Sequence, residues 1–182
     1  DLPRALPHDL VNGLAAAAAA EAAGAHPDAV AGALRGFRGL AHRVTLVAEA
    51  GGVRWYDDSK ATNPHAALAA ISGFPSVVLV AGGRNKGIDL SPLAAAASHI
   101  RAVVAIGEAG PDVAAAFEGL RPVVRAASMT EAVEAAAGLA QPGDVVLLSP
   151  ACASFDQYRS YAHRGEDFAQ SVRALLEGGR VG

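Results

Sequence analysis

The sequence predicts an α/β domain whose open, mostly parallel sheet carries helices on both faces, begins with a β-hairpin and follows a short helical piece of another domain. Three observations predict it. Four apolar runs rich in β-branched residues, at 76–81, 102–106, 122–125 and 144–148, read as strands buried on both faces. Segments with helix-start signals and lengths of roughly two to four turns separate those runs, and strand alternating with helix implies parallel pairing. Before residue 41 the chain shows Ala-rich helical stretches instead of strands.

Taken in order, Asp9 is placed to N-cap an Ala-rich helix reaching Ala23, with Gly24 as its stop. Pro27 suits the first turn of a second helix through Leu34. Residues 36–42 are rich in Gly and Arg and hold only Phe37 and Leu40 as anchors, so the domain boundary is drawn there, with 1–40 as the helical piece and 41–182 as the sheet domain. Stretches 44–49 and 53–56 flank Ala50-Gly51-Gly52 and read as a hairpin. A helix follows at 63–71, others start at Ser91-Pro92, Gly110-Pro111 and Ser128, and the last falls within 157–176. In a Rossmann-like sheet of this kind ligands sit beyond the carboxyl ends of the strands, so loops 57–63, 82–89, 107–112 and 149–156 are expected to converge.

The bulk properties narrow the function. At 182 residues and 18.3 kDa the chain can bury one domain plus part of a second. A net charge of -3 and a pI near 6.1 point away from nucleic acid and anionic membrane surfaces. The single cysteine, Cys152, excludes an internal disulfide and suits a reducing, cytoplasmic compartment. No stretch reads as a signal peptide or a membrane span. The chain starts at Asp1 and its only Met is Met129, so a piece of something longer is expected.

Among fifteen basic residues only Lys60 and Lys86 are lysines, and both fall in loops that follow strands. A compact, strongly hydrated ammonium at both places points to a site that Arg's planar fork would not serve. Lys60 lies in Asp57-Asp58-Ser59-Lys60-Ala61-Thr62-Asn63. Adjacent carboxylates at a strand end point to opposite sides, and one of them is suited to accept from a hydroxyl-rich ligand such as ribose. Lys86 lies in a glycine-rich loop, Gly82-Gly83-Arg84-Asn85-Lys86-Gly87, which is either an anion cradle of backbone amides or a tight turn with a solvated lysine. It is neither a Walker A loop nor a G-x-G-x-x-G fingerprint. The third loop carries Ser154, where a hydroxyl and the first amides of a following helix would cradle a carboxylate, or where a serine simply caps the helix. Cys152 reads as a small buried hydrophobe. The six histidines fall in no metal spacing, so no metal held by this chain alone is expected.

With these motifs assembled, the sequence resembles the Mur ligases of bacterial cell-wall synthesis, and its larger part resembles their C-terminal domain. The residues that carry the resemblance are Asp-Ser-Lys-Ala-Thr-Asn-Pro at 58–64, Gly-Gly-x-x-Lys-Gly-x-Asp at 82–89, Ser-Pro-Ala-Cys-Ala-Ser-Phe-Asp-Gln at 149–157 and Arg164-Gly165-Glu166-x-Phe168. Upstream, His8-Asp9-Leu10-Val11-Asn12 with Leu14-Ala15-Ala16 is similar to the helix that ends the family's central ATP-binding domain, and Gly39-Leu40-x-His42-Arg43 to the link that follows it. Asp9 stands where the family usually has Asn, and Asn85 where Asp is common. The first loop is similar to that of the branch that adds D-glutamate.

The resemblance implies an ATP- and Mg2+-dependent ligation in which the alanyl carboxylate of UDP-N-acetylmuramoyl-L-alanine is phosphorylated and the amine of D-glutamate attacks the acyl phosphate. It implies that Thr62 and Lys86, with Lys60 nearby, hold the α-carboxylate of D-glutamate. Ser154 and the amide of Phe155 would take the γ-carboxylate, and Tyr161 would line that pocket. Asp58 would accept from ribose, Arg43 would reach the ATP phosphates, and Asn12 with His8 would contact the adenine side. No Walker A loop occurs in the chain, so these residues alone are expected to be inactive, with no catalytic residue among them. The alternatives are a related ligase for another amino acid and a non-catalytic Rossmann-like binding or receiver module. A receiver needs a phosphoacceptor Asp at a middle strand end, where this chain has Gly82-Gly83.

Overall fold

The computed structural model describes residues 7–178, with side chains from Asp9 onward. Backbone contacts divide the chain into two units, Asp1–Ala41 and His42–Gly182. The first holds α1 (Pro7–Ala22) and α2 (Pro27–Gly36), which pack on each other. Asp9 does not cap α1, because Pro7 and His8 before it are already helical. His26 caps α2 by accepting from the Asp28 amide.

The second unit is an α/β fold built on a six-stranded sheet in the order β1-β2-β6-β3-β4-β5. β1 (Thr45–Ala50) and β2 (Val53–Asp57) form the antiparallel hairpin, and β2, β6 (Val145–Ala151), β3 (Val77–Gly82), β4 (Ile100–Ile106) and β5 (Val123–Ala126) pair in parallel. Every residue of β3 and β6 is buried, as expected for central strands with helices on both faces. β5 departs from the expectation of full burial. It is the edge strand, and none of its four residues is buried, since no neighbour covers its outer side.

α3 (Pro64–Ile71), a 3-10 helix (Ser91–His99) and α4 (Gly110–Ala116) pack together against one side of the sheet, while α5 (Met129–Leu139) and α6 (Tyr161–Gly178) pack together against the other. Asn63 and Ser128 cap α3 and α5 by accepting from the Ala66 and Glu131 amides. The segment opened by Ser91-Pro92 winds as a 3-10 helix, a tightening that its run of small alanines tolerates because eclipsed side chains at i and i+3 do not crowd. Trp55, Val80, Ile106, Met129, Val146 and Phe168 belong to the core between the sheet and the α5–α6 layer. Its aromatic pair, Trp55 and Phe168, has ring centroids 6.4 Å apart.

This topology decides where ligands go. The chain passes from β2 to β3 across a gap that β6 later fills, and from β3 it winds outward to β4 and β5. The carboxyl ends of β2, β6, β3 and β4 are therefore neighbours, and the loops that leave them meet at the switch point of the sheet.

Candidate substrate-binding site

The loop after β2 is held by its own acidic pair. Asp57 Oδ1 accepts from the Ser59 amide at 2.9 Å, and Asp57 Oδ2 lies 2.6 Å from His42 Nδ1. Asp58 diverges from Asp57, as expected at a strand end, and its Oδ2 accepts from Ser149 Oγ at 2.7 Å. Burial raises the Asp58 pKa to about 7 despite the bonds from Ser149 and the Val44 backbone, with the charge of Asp57 pushing the same way and that of Arg43 opposing it. His42 and Val44, on either side of Arg43, both have positive φ, 59° and 48°, an uncommon conformation for a β-branched residue such as Val44. The Lys60 amide donates to the His42 carbonyl at 3.1 Å, tying the loop to this bent segment.

The glycine-rich loop after β3 corrects one of the two readings made from sequence. The amides of Gly83 and Arg84 are consumed internally, donating to the carbonyls of Ile106 and Ala153 at 3.1 and 2.8 Å. Gly82 and Gly83, at φ 123° and 127°, serve close backbone packing, since a Cβ on either would collide with those same carbonyl oxygens. Neither of those two amides can contribute to an anion cradle. Farther along, Asn85 Nδ2 donates to Asp112 Oδ2 at 3.1 Å and Asn85 Oδ1 accepts from the Ile88 amide at 2.8 Å. These bonds bracket Lys86, whose side chain is exposed.

The loop after β6 corrects another expectation. Ser154 does not begin a helix. Ala151 turns at φ 58°, Arg84 and Ala153 form an isolated bridge, and the Gln157 and Tyr158 amides donate to the Ser154 carbonyl in a turn. The last helix starts only at Tyr161, so no helix N-terminus cradles a ligand at Ser154. Ser154 itself is buried. The Cys152 thiol is also buried and its pKa is raised to about 11 by that burial, which keeps it protonated and unreactive.

The residues named from sequence are brought together in pairs. Lys60 Nζ stands 3.9 Å from the centroid of the Tyr161 ring, and Lys86 Nζ 5.8 Å from that of Phe155, both within cation-π reach. Tyr161 also meets His42 edge to face at 6.0 Å. Thr62 is partly buried at the end of the first loop, and Arg43 is exposed between His42 and Val44, ahead of β1. Asn12 is exposed on α1 in the other unit, and the side chain of His8 lies outside the described residues. Sequence reasoning named Arg164 only within the motif at 164–168 and gave it no role in the site. Its side chain is 1% exposed and reaches all three loops. A signal was present, for Arg164 falls on the same α6 stripe as Phe168 and Val172, at i, i+4 and i+8, and that stripe is buried.

Comparison with known proteins places this geometry. The family described as Mur ligase, glutamate ligase domain, matches residues 42–152. The chain belongs to the Mur ligase family. It is 52% identical over 170 residues to the UDP-N-acetylmuramoylalanine--D-glutamate ligase of Methylococcus capsulatus, covering 92% of this chain and 37% of that protein. It is 52% identical over 178 residues to the protein of the same name from Frankia casuarinae, covering 96% of this chain and 38% of that one. The chain thus spans well under half the length of these curated relatives. Its fold is similar to that of the UDP-N-acetylmuramate-alanine ligase MurC from Thermotoga maritima, at a TM-score of 0.70 and 18% identity over 99% of this chain and 39% of that one. MurF from Acinetobacter baumannii matches at a TM-score of 0.67 and 21% identity over 94% of this chain and 39% of that one. In this Mur ligase chain the family match ends at Cys152, so Ser154, Tyr161 and Arg164 lie beyond it.

Proposed function

We propose that this chain is the amino-acid-binding portion of an ATP-dependent ligase that joins D-glutamate to UDP-N-acetylmuramoyl-L-alanine in peptidoglycan precursor synthesis. The observation that carries the reading is identity of about one half, over more than nine-tenths of the chain, to proteins named for that ligation. The site chemistry supports it. Two ammonium groups, each within cation-π reach of an aromatic ring of the site loops or of the start of α6, suit an anionic ligand. In this reading residues 1–40 are the end of the central ATP-binding domain and 41–182 the D-glutamate-binding domain.

Thr62 and Lys86, with Lys60 beside them, hold the α-carboxylate, while Ser154 and the Phe155 amide hold the γ-carboxylate in a pocket lined by Tyr161. Charge-assisted bonds to both ends fix the direction in which the amine points, which is a contribution by positioning. Asp58 accepts from the ribose of ATP. Its buried carboxyl keeps one oxygen on Ser149 and suits a hydroxyl donor better than a cation. Arg43 meets the phosphates, and Asn12 and His8 the adenine. Among the described residues no group of three or more His, Cys, Asp or Glu is placed to hold a metal. In this proposal Mg2+ is held by the ATP phosphates and by parts of the protein outside this chain. No described helix is long and apolar enough to cross a membrane. We place the reaction in the cytoplasm, where ATP is available to drive it.

The test is amide formation by the full-length parent with ATP, UDP-N-acetylmuramoyl-L-alanine and D-glutamate, set against L-glutamate, L-alanine and L-lysine. Preference for D-glutamate is expected. Preference for another amino acid would reassign the substrate.

A further inference from the structure

We infer that Arg164 is the positioning residue of this site, a buried guanidinium that sets the spacing of the loops after β2, β3 and β6 and thereby the distance between the groups that grip the two ends of the ligand. The inference rests on the proposed D-glutamate site and extends it to a residue outside the ligand contacts.

Arg164 leaves the first turn of α6 and divides its donors among the loops. Nε donates to Ser59 Oγ at 2.9 Å and Nη2 to the Ser59 carbonyl at 2.9 Å. Nη2 also donates to the Cys152 carbonyl at 3.1 Å, and Nη1 to the carbonyls of Ala153 at 3.3 Å and Gly82 at 3.5 Å. The acceptors lie at or near the bases of the loops that carry the residues assigned to the ligand. Ser59 precedes Lys60, Gly82 opens the loop that carries Lys86, and Ala153 precedes Ser154. Ser59 Oγ passes the connection on, donating to the Tyr161 carbonyl at 2.7 Å, so the start of α6 and the first loop move as one piece.

The loops are shaped to admit the guanidinium. A Cβ on Gly83 would lie 2.9 Å from Arg164 Nη1, so glycine there makes room for the fork as well as for the Ala153 carbonyl. A planar group with five donors can bond carbonyls that lie in different directions, whereas an ammonium donates from a single point. Stability alone does not account for such a group. Its bonded acceptors are neutral oxygens, and a buried charge of this kind costs several kcal/mol of desolvation that an apolar side chain of similar volume would avoid. Burial lowers its pKa to about 10, which leaves it cationic at neutral pH, with the charges of Asp156 and Asp57 compensating in part. A cation fixed at the root of all three loops also favours an anionic ligand held by their tips.

The experiment is steady-state kinetics of the full-length parent carrying Arg164→Met or Arg164→Lys, with thermal melting measured on each. Both substitutions are expected to raise the KM for D-glutamate by about tenfold to a hundredfold, the scale of a misplacement near 1 Å. The KM for UDP-N-acetylmuramoyl-L-alanine should stay within about twofold, since that substrate is held elsewhere. A purely structural role would lower kcat through a smaller folded fraction and leave the D-glutamate KM unchanged, and that outcome overturns the inference. So does a wild-type KM in Arg164→Lys, because charge without the fork would then suffice. If neither variant folds, Ser59→Ala removes only the hydroxyl link. A several-fold rise in the same KM supports the inference, and an unchanged KM overturns it. A parent that turns over D-glutamate while these variants keep its KM overturns this inference alone, whereas a parent that does not use D-glutamate overturns the proposed function and this inference with it.

Discussion

His42 Nδ1 lies 2.6 Å from Asp57 Oδ2, and the pair closes over the backbone of Gly165 so tightly that a Cβ there would collide with both side chains. The contact seats α6 against the end of β2, where the first site loop begins. Gly165→Ala is expected to destabilise the chain by about 1–3 kcal/mol, the usual range for overpacking. Thermal unfolding measures it, and an unchanged melting temperature would show that the pair separates without cost.

Asp58 makes stability depend on pH. Its pKa in the fold is about 7 against an ordinary 3.8, so the native state holds a proton that the unfolded chain has lost. Its contribution is fully present below about pH 4 and is lost as pH rises through about 7, for a total of up to about 4 kcal/mol. Asp58→Asn should flatten that part of the profile and raise stability at pH 8 relative to the unsubstituted chain. Urea titrations at pH 5 and pH 8 distinguish the two behaviours. Identical slopes in both proteins would remove Asp58 as the source.

Two glycines of the same loop should respond differently. At Gly82 an added Cβ runs into the Ile106 carbonyl, a backbone atom that no rotamer change can move, and φ is 123°. Gly87, at φ 77°, faces open space. Gly82→Ala should therefore cost about 3 kcal/mol or more, against about 1–2 kcal/mol of backbone strain for Gly87→Ala. Equal melting temperatures for the two variants would contradict the close packing at Gly82.

Lys86 is exposed, and replacing it should leave the fold alone. Lys86→Ala is expected to hold the melting temperature within about a degree, as surface substitutions usually do. In the parent it should raise the KM for D-glutamate by about tenfold to a hundredfold, the value of one charged hydrogen bond. Unchanged kinetics would take Lys86 out of the site.

Most of the elements could be read locally. Apolar runs and capping residues located β3, β4, β6, α3 and α5 to within a few positions, because burial on both faces and helix starts are written in neighbouring residues. The end of β5 was legible but its exposure was not, since whether a strand lies at an edge depends on sheet order. The site loops were legible as polar segments after strands. Their internal roles were not, because the glycine amides that looked available are bonded to carbonyls of Ile106 and Ala153. Asn85 illustrates the same limit. Its amide donates to Asp112, a bond from the loop after β3 to the first turn of α4, and an Asp in its place would face a like charge.

The sequence by itself determined the alternation of strands and helices, the family and the identity of the groups at the strand ends, all properties of short windows of chain. Only the tertiary structure decided that β6 enters between β2 and β3, that Lys60 meets Tyr161, and that Arg164 ties three loops together. Ser59 and Arg164 are 105 positions apart. Contacts at that separation follow from the order in which a parallel sheet is wound and from which groups burial forces to find partners, and neither is encoded in any local pattern.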